Sequence, residues 1–303
     1  MPKTIFLLFA FVSAINVVFS QTADEYFRAG EIYYDEGRFH EARLIFEEAR
    51  SLFPTNARLY FGLGRIHDHL NDLNLSLWYF SRAIELDSTF AEAHDMRARI
   101  HELLGNYANA LADLTAALHL DPDNDIYYRR RAIFFSARRN FPLALVDFNR
   151  TIELNPLSYI NFQERGIHFI SFGRFECALA DLNEALRLNS ESITGLNARG
   201  TTFFLAGRPE NALADFDSAV RLDTNRYDSH FNRGFVNFEI GRFSEAAQDF
   251  TQVIRINPGH RYAHLNRAHS YRQLANLTGD MAQAFDYLQR AQDDERAAAL
   301  LGN

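Results

Sequence analysis

One spacing dominates this sequence. Alanine recurs at steps of 34 residues or a multiple of 34, at Ala42, Ala110, Ala144, Ala178, Ala212 and Ala246. The one step without alanine is occupied by Ser76. A period of this length, kept over most of a chain, indicates a repeat architecture whose unit is a helical hairpin. We therefore expect one elongated array where a length of 303 residues would otherwise suggest about two globular domains.

The array divides into windows that follow one another. The first seven windows join without an insertion. The eight windows, called repeats one to eight below, cover 23–56, 57–90, 91–124, 125–158, 159–192, 193–226, 227–260 and 261–292. Residues 293–303 form a capping tail. Repeat one reads ADEYFRAGEIYYDEGRFHEARLIFEEARSLFPTN and resembles the tetratricopeptide repeat consensus at Tyr26, Gly30, Tyr33, Ala42, Phe46, Ala49 and Pro54. The resemblance implies an all-α fold, a right-handed superhelical solenoid of eight tetratricopeptide-type helical hairpins.

Small and large residues alternate within each repeat in a way that predicts its packing. Positions are counted from the first residue of each repeat. A small residue at position eight lets the first helix of the repeat approach the second, and a large residue at position twenty-four fills the space beside it. Asn71 and Arg139 occupy the turn position that is glycine in five other repeats, where a left-handed backbone is needed. In repeat eight we assign Ala284 and Ala291 to positions twenty and twenty-seven, which leaves four extra residues between Ala275 and Asp280.

The first twenty residues differ from the rest of the chain. Lys3 precedes an apolar run from Ile5 to Phe19, and Ser20 follows it, which is typical of a signal peptide cleaved after Ser20. The run is shorter than the roughly 20 apolar residues that a membrane-spanning helix needs, although an uncleaved anchor is the alternative. We expect a secreted or periplasmic protein with no membrane span after removal of the signal.

The charged residues exclude several classes of function. The formal net charge is -8, whereas a nucleic-acid-binding domain carries a basic patch, so we expect no nucleic-acid partner. Lys3 is the only lysine, which argues against phosphate-binding loops and Schiff-base chemistry. Every later cation is arginine, a side chain suited to bidentate pairing with carboxylates.

Arginine and aspartate recur together in the later repeats. Position seven is Arg97, Arg131, Arg165, Arg199, Arg233 and Arg267 in repeats three to eight, and position twenty-three is Asp113, Asp147, Asp181, Asp215 and Asp249 in repeats three to seven. Repeats one and two lack both. We predict a structural ladder of bidentate ion pairs that fixes the register of the helices. Pairing within one repeat and pairing between neighbours both stay open, since each leaves one arginine over.

The family resemblance places a partner-binding groove on the concave surface, which the first helices line. The N-terminal end of this groove presents Arg65, Arg99 and Arg129 among acidic residues, and the C-terminal end presents Ile133, Ile167, Ile170, Phe204, Phe231, Phe235 and Phe238. An exposed apolar stripe is typical of a protein interface, although packing between repeats would also explain these side chains. The family's clamp for carboxylate-ended chaperone tails uses asparagine at position nine and lysine at position thirteen, and this sequence has neither.

No motif in the sequence predicts catalysis or a cofactor. His260 and His264 stand one helical turn apart without an evident third metal ligand, and Cys177 with His168 lacks a third group that would orient the histidine. We therefore predict no catalytic residue, no metal and no cofactor, with a cysteine-dependent hydrolase as a distant alternative.

The predicted function is that of a scaffold or adaptor for other proteins. Its partner would be a segment of a secreted or cell-envelope protein bound in the groove. The alternative is a self-associating structural protein, and a homo-oligomer is compatible with either.

Overall fold

A computed structural model of the chain describes residues 22–301. Its described residues form sixteen α-helices and contain no β-strand, and the helices pair in chain order into helical hairpins. The helices are α1 (Ala23–Asp35), α2 (Phe39–Leu52), α3 (Ala57–His69), α4 (Leu73–Leu86), α5 (Ala91–Leu103), α6 (Tyr107–Leu120), α7 (Asp125–Ala137), α8 (Phe141–Leu154), α9 (Tyr159–Ser171), α10 (Phe175–Leu188), α11 (Ile193–Leu205), α12 (Pro209–Leu222), α13 (Tyr227–Glu239), α14 (Phe243–Ile256), α15 (Arg261–Leu277) and α16 (Met281–Leu300).

The chain divides into two compact units. The N-terminal unit extends to Arg131 and the C-terminal unit begins at Ala132, so the division falls inside α7. The predicted signal peptide lies outside the described residues. Within the part of the chain from 22 to 301, no helix combines the length and the apolar character that crossing a membrane requires.

Local sequence explains where the helices begin and end. Thr22 and Glu25 form a capping box at the start of α1, in which each side chain accepts a hydrogen bond from the other residue's backbone N–H. Glycine has a positive φ in five of the turns that join the two helices of a repeat. Asn71 and Arg139 adopt the same left-handed conformation with φ of 58° and 56°, as the alignment of the repeats predicts.

The core of each hairpin consists of the residues that the repeat pattern places there. The large side chains at position twenty-four are almost fully buried in repeats one to seven, at Phe46, Phe80, Leu114, Phe148, Leu182, Phe216 and Phe250. A Cβ atom on Gly200 would lie 2.7 Å from a ring carbon of Phe216, so any other residue here would force the ring to move. Ser76 takes the vacant alanine step because its buried hydroxyl donates to the carbonyl of Gly64 at 2.9 Å.

The register assigned to the second helix of repeat eight is wrong by seven residues. Ala291 and Ala298 are fully buried, whereas Ala284 is only half-buried, so positions twenty and twenty-seven belong to the later pair. The extra length comprises four residues at the end of α15 and seven at the start of α16. Alanines at 284, 291 and 298 are equally spaced, so the spacing of alanine alone allowed both registers.

Candidate partner-binding site

The first helices of successive hairpins contact one another inside each unit. In the N-terminal unit α1 contacts α3 and α3 contacts α5, and in the C-terminal unit α9, α11, α13 and α15 contact in series. The side chains predicted to bind a partner lie on first helices, with Arg129 and Ile133 on α7. Each unit therefore presents its own first-helix face.

Two of the predicted groove arginines in the N-terminal unit pair with carboxylates of a neighbouring first helix. Arg65 donates to Glu31 at 2.6 Å and its guanidinium lies over the ring of Tyr34. Arg99 donates to Asp68 on the preceding first helix. Both bonds join neighbouring first helices, so these arginines stabilise the stack, and an acidic ligand would have to compete with the existing pairs.

Asp95 is the most deeply buried charged group on this face. Only 3% of Asp95 is exposed, one carboxylate oxygen lies 3.0 Å from Nε of Arg130, and the other oxygen has no hydrogen-bond partner. Burial raises the pKa of Asp95 to about 6 despite the nearby Arg130. Arg129, the third predicted groove arginine, lies 3.8 Å from Asp125 one turn earlier in α7.

The first-helix face of the C-terminal unit includes an apolar patch. Phe204 of α11 and Phe235 of α13 contact edge to face, with ring centroids 5.8 Å apart, so neighbouring hairpins contribute to one surface. Phe235 is 39% exposed and Ile133 is also exposed, whereas Ile167 and Ile170 are half-buried. Phe204 and Phe235 thus form one apolar patch that remains partly accessible to water.

Two predicted groove residues are engaged in packing inside their own repeat. The ring of Phe231 contacts Phe250 of α14 and His260, and the ring of Phe238 contacts Phe243 at the start of α14. Both rings are only partly exposed. They support the hairpin and contribute less accessible surface than Phe235.

The arginine–aspartate ladder pairs residues of the same repeat. Arg199 donates from Nε and Nη2 to the two oxygens of Asp215 at 2.8 and 2.7 Å, a bidentate geometry. The same pairing joins Arg97 to Asp113, Arg165 to Asp181 and Arg233 to Asp249. The arginine that same-repeat pairing would leave over, Arg267, donates to Asp294 of α16 at 2.8 and 2.6 Å.

Each of these arginines also contacts the preceding repeat through its third nitrogen. Nη1 of Arg199 donates to Asn183 at 2.8 Å, and Nη1 of Arg233 donates to Asp217 at 2.7 Å. The equivalent acceptors for Arg97, Arg165 and Arg267 are Ser81, Asn149 and Thr251. A short polar residue at position twenty-five is the sequence signal for this contact, and the ladder therefore links helices within a repeat and between neighbours.

Two of the histidines considered for metal binding or catalysis make hydrogen bonds within the array. Nδ1 of His264 lies 3.0 Å from Asp294 and Nε2 lies 3.2 Å from the carbonyl of Pro258, so both ring nitrogens face oxygen acceptors. His168 is buried and hydrogen-bonded to Ser136, and Cys177 is exposed on α10. Across residues 22–301 no group of three or more histidine, cysteine or acidic side chains is arranged to hold a metal ion.

Comparisons of the sequence with protein families give matches over most of the array. Two family models, both described as Tetratricopeptide repeat, match the chain. One matches residues 27–91 and 164–227, and the other matches residues 91–124 and 227–260. Together the matched segments cover more than half of the chain. No curated protein sequence matches the chain.

Several solved structures have a similar fold. A tetratricopeptide repeat protein from Parabacteroides merdae ATCC 43184 superposes with a TM-score of 0.64 at 17% identity, covering 89% of this chain and 98% of that one. A chain of the APC/C hetero-tetramer Cut9-Hcn1 superposes with a TM-score of 0.65 at 17% identity. The superposition covers 90% of this chain and 50% of the other chain. PilW, a type IV pilus biogenesis factor, superposes with a TM-score of 0.61 at 19% identity. The superposition covers 67% of this chain and 94% of PilW. At these identities the similarity shows the fold.

Proposed function

Because this chain belongs to the tetratricopeptide repeat family, we propose that it is an exported scaffold that binds a segment of another secreted or cell-envelope protein. The bound segment lies on the apolar first-helix face of the C-terminal unit. Phe235, Phe204 and Ile167 supply the contact surface there. The proposal involves no catalysis by this chain.

The observation that carries the proposal is the exposed apolar surface around Phe235. A soluble protein rarely exposes a contiguous apolar patch without a binding role, and Phe235 stays 39% exposed although it packs against Phe204. The N-terminal unit supports binding less directly, because its predicted contact residues Arg65 and Arg99 are engaged by carboxylates of the chain itself. Apolar side chains of the partner therefore provide the anchors.

Replacing Phe235 by glutamate tests this site. The Phe235→Glu variant should lose captured partners from the exported-protein fraction of the native cells, because a central aromatic contact contributes about 2 kcal/mol or more to binding, roughly a 30-fold change in Kd. Leu222→Glu is the matched control, since Leu222 is 43% exposed but lies on a second helix, α12. Proteins retained by wild type and control would be identified by mass spectrometry, and their Kd values measured by titration.

Helicity measured by circular dichroism should be the same in both variants. If Phe235→Glu and Leu222→Glu retain the same proteins with equal Kd, the binding site lies elsewhere on the molecule.

The export of the chain is a separate part of the proposal. It rests on the apolar run from Ile5 to Phe19 and on Ser20. Protein sequencing of the chain purified from its native host should find Gln21 as the first residue and locate the chain outside the cytoplasm. A mature protein that still begins at residue 1 would contradict cleavage and support the anchor alternative.

Self-association is a second candidate function, favoured by one feature of α16. Met281, Phe285 and Leu288 are exposed along one face of the first half of this helix, and Phe285 is 69% exposed. If this face joins two copies, light scattering should show a mass that rises with protein concentration and returns to the monomer value in Phe285→Ser. A constant monomer mass in the wild type would dismiss this candidate.

A further inference from the structure

The C-terminal unit contains an apolar cavity whose lining shares no residue with the contact surface of the proposed function. The cavity has a volume of about 400 Å³ and lies between α8 and α9, with the turn after α9 at its mouth. Its lining is mainly aromatic and aliphatic, consisting of Phe141, Pro142, Leu145, His168, Phe169 and Phe172, with Arg174. This size is at the lower end of the range for ligand pockets and suits one large side chain better than a cofactor.

The cavity wall contains a buried histidine. His168 is 3% exposed, its ring contacts Phe141, Phe148 and Phe172, and Nδ1 lies 2.9 Å from the hydroxyl of Ser136. Burial among these rings lowers the pKa of His168, which favours the neutral imidazole. The hydrogen bond to Ser136 orients the ring, so His168 presents an apolar face to the cavity.

Arg174 gives the cavity its only charged lining residue. The side chain is exposed, and within residues 22–301 it makes no ion pair, unlike Arg208, which pairs with Glu176 at 3.0 Å. An aromatic pocket with one unpaired guanidinium at its mouth is complementary to an apolar ring that has a carboxylate nearby.

We propose that this cavity binds a segment of a partner protein, inserting an aromatic side chain and pairing an adjacent acidic residue with Arg174. The site goes beyond the proposed function, because it uses a different surface from Phe235. An aromatic ring brings a large contact area at a small cost in conformational entropy, and it can pack against Phe141, Phe169 and Phe172. The neighbouring carboxylate then sets the orientation of the segment.

The test is a ligand-observed NMR titration of the full protein with short peptides. The probe is an acetylated and amidated tetrapeptide of glycine, phenylalanine, glutamate and glycine, compared with versions that have glutamine for glutamate or alanine for phenylalanine. Saturation transfer from the protein should appear with the first peptide, strongest at its phenylalanine ring, and no proton of the alanine version should receive it. Arg174→Gln should raise the Kd of the first peptide by about 3- to 5-fold, the size expected for an exposed ion pair.

Matched variants assign the binding to the cavity. Leu145→Phe places a larger side chain in the cavity wall, narrows the cavity and should weaken binding, whereas Arg208→Gln should leave the Kd unchanged. The glutamine peptide should bind wild type and Arg174→Gln equally. If circular dichroism shows that Leu145→Phe has not folded, the comparison of Arg174→Gln with Arg208→Gln decides alone.

Three results would overturn the proposal. One is a Kd of the first peptide that Arg174→Gln does not change, and another is the absence of saturation transfer from the wild-type protein to that peptide. The third is binding that Phe235→Glu abolishes while Arg174→Gln leaves it intact, which would place the ring on the first-helix face. Because Phe235→Glu separately tests the proposed function, failure of one site is distinguishable from failure of the other.

Discussion

At the scale of single residues, Asp95 shows what the sequence could not predict. The acidic residues near the groove arginines were visible in the sequence, but their burial and pairing depend on which first helices meet. Since the pKa of Asp95 is raised to about 6 from an ordinary value of 3.8, the folded state keeps a proton that the unfolded chain releases between these values. Its stabilising contribution is therefore complete below about pH 4 and is lost as pH rises through 6. Asp95→Asn removes this titration while keeping an oxygen for Arg130, so the unfolding free energy of wild type relative to the variant should fall by about 3 kcal/mol from acid to neutral pH. Urea denaturation of both proteins at about pH 4 and pH 7 measures this difference; a pH-independent value would contradict it.

At the scale of helices, the repeat pattern predicted the hairpins and the ladder residues but not the ladder's connections. Spacing along the chain gives the residue type at each position, whereas pairing depends on which two helices face each other at that depth. The geometry selects Asp215 as the partner of Arg199, and Asp181 pairs with Arg165. Asp215→Leu should cost about 3 to 5 kcal/mol because it leaves the half-buried Arg199 without its carboxylate. In a double-mutant cycle of denaturation free energies, Arg199→Leu should therefore couple to Asp215→Leu by more than 1 kcal/mol, whereas with Asp181→Leu its effects should add to within about 0.5 kcal/mol. Equal coupling to both aspartates would refute the same-repeat assignment.

At the scale of the whole molecule, the last hairpin shows how far a periodic sequence determines the end of an array. The equal spacing of alanines permitted two registers for α16. The signal that distinguishes them is the aspartate three residues after Ala291, because the alanine at position twenty is followed three residues later by aspartate in repeats three to seven. In the folded chain this aspartate, Asp294, pairs with Arg267 and His264. In a repeat array each hairpin contacts mainly its neighbours, so damage at an end should remain local. Asp294→Ala should lower the unfolding free energy by about 3 kcal/mol and reduce hydrogen-exchange protection in α15 and α16, while protection in α9 and α10 stays unchanged. The control Asp286→Ala removes an exposed pair with Arg290 on the same helix and should change stability by less than about 1 kcal/mol. Loss of protection throughout the C-terminal unit in Asp294→Ala would show that this unit unfolds as one cooperative body.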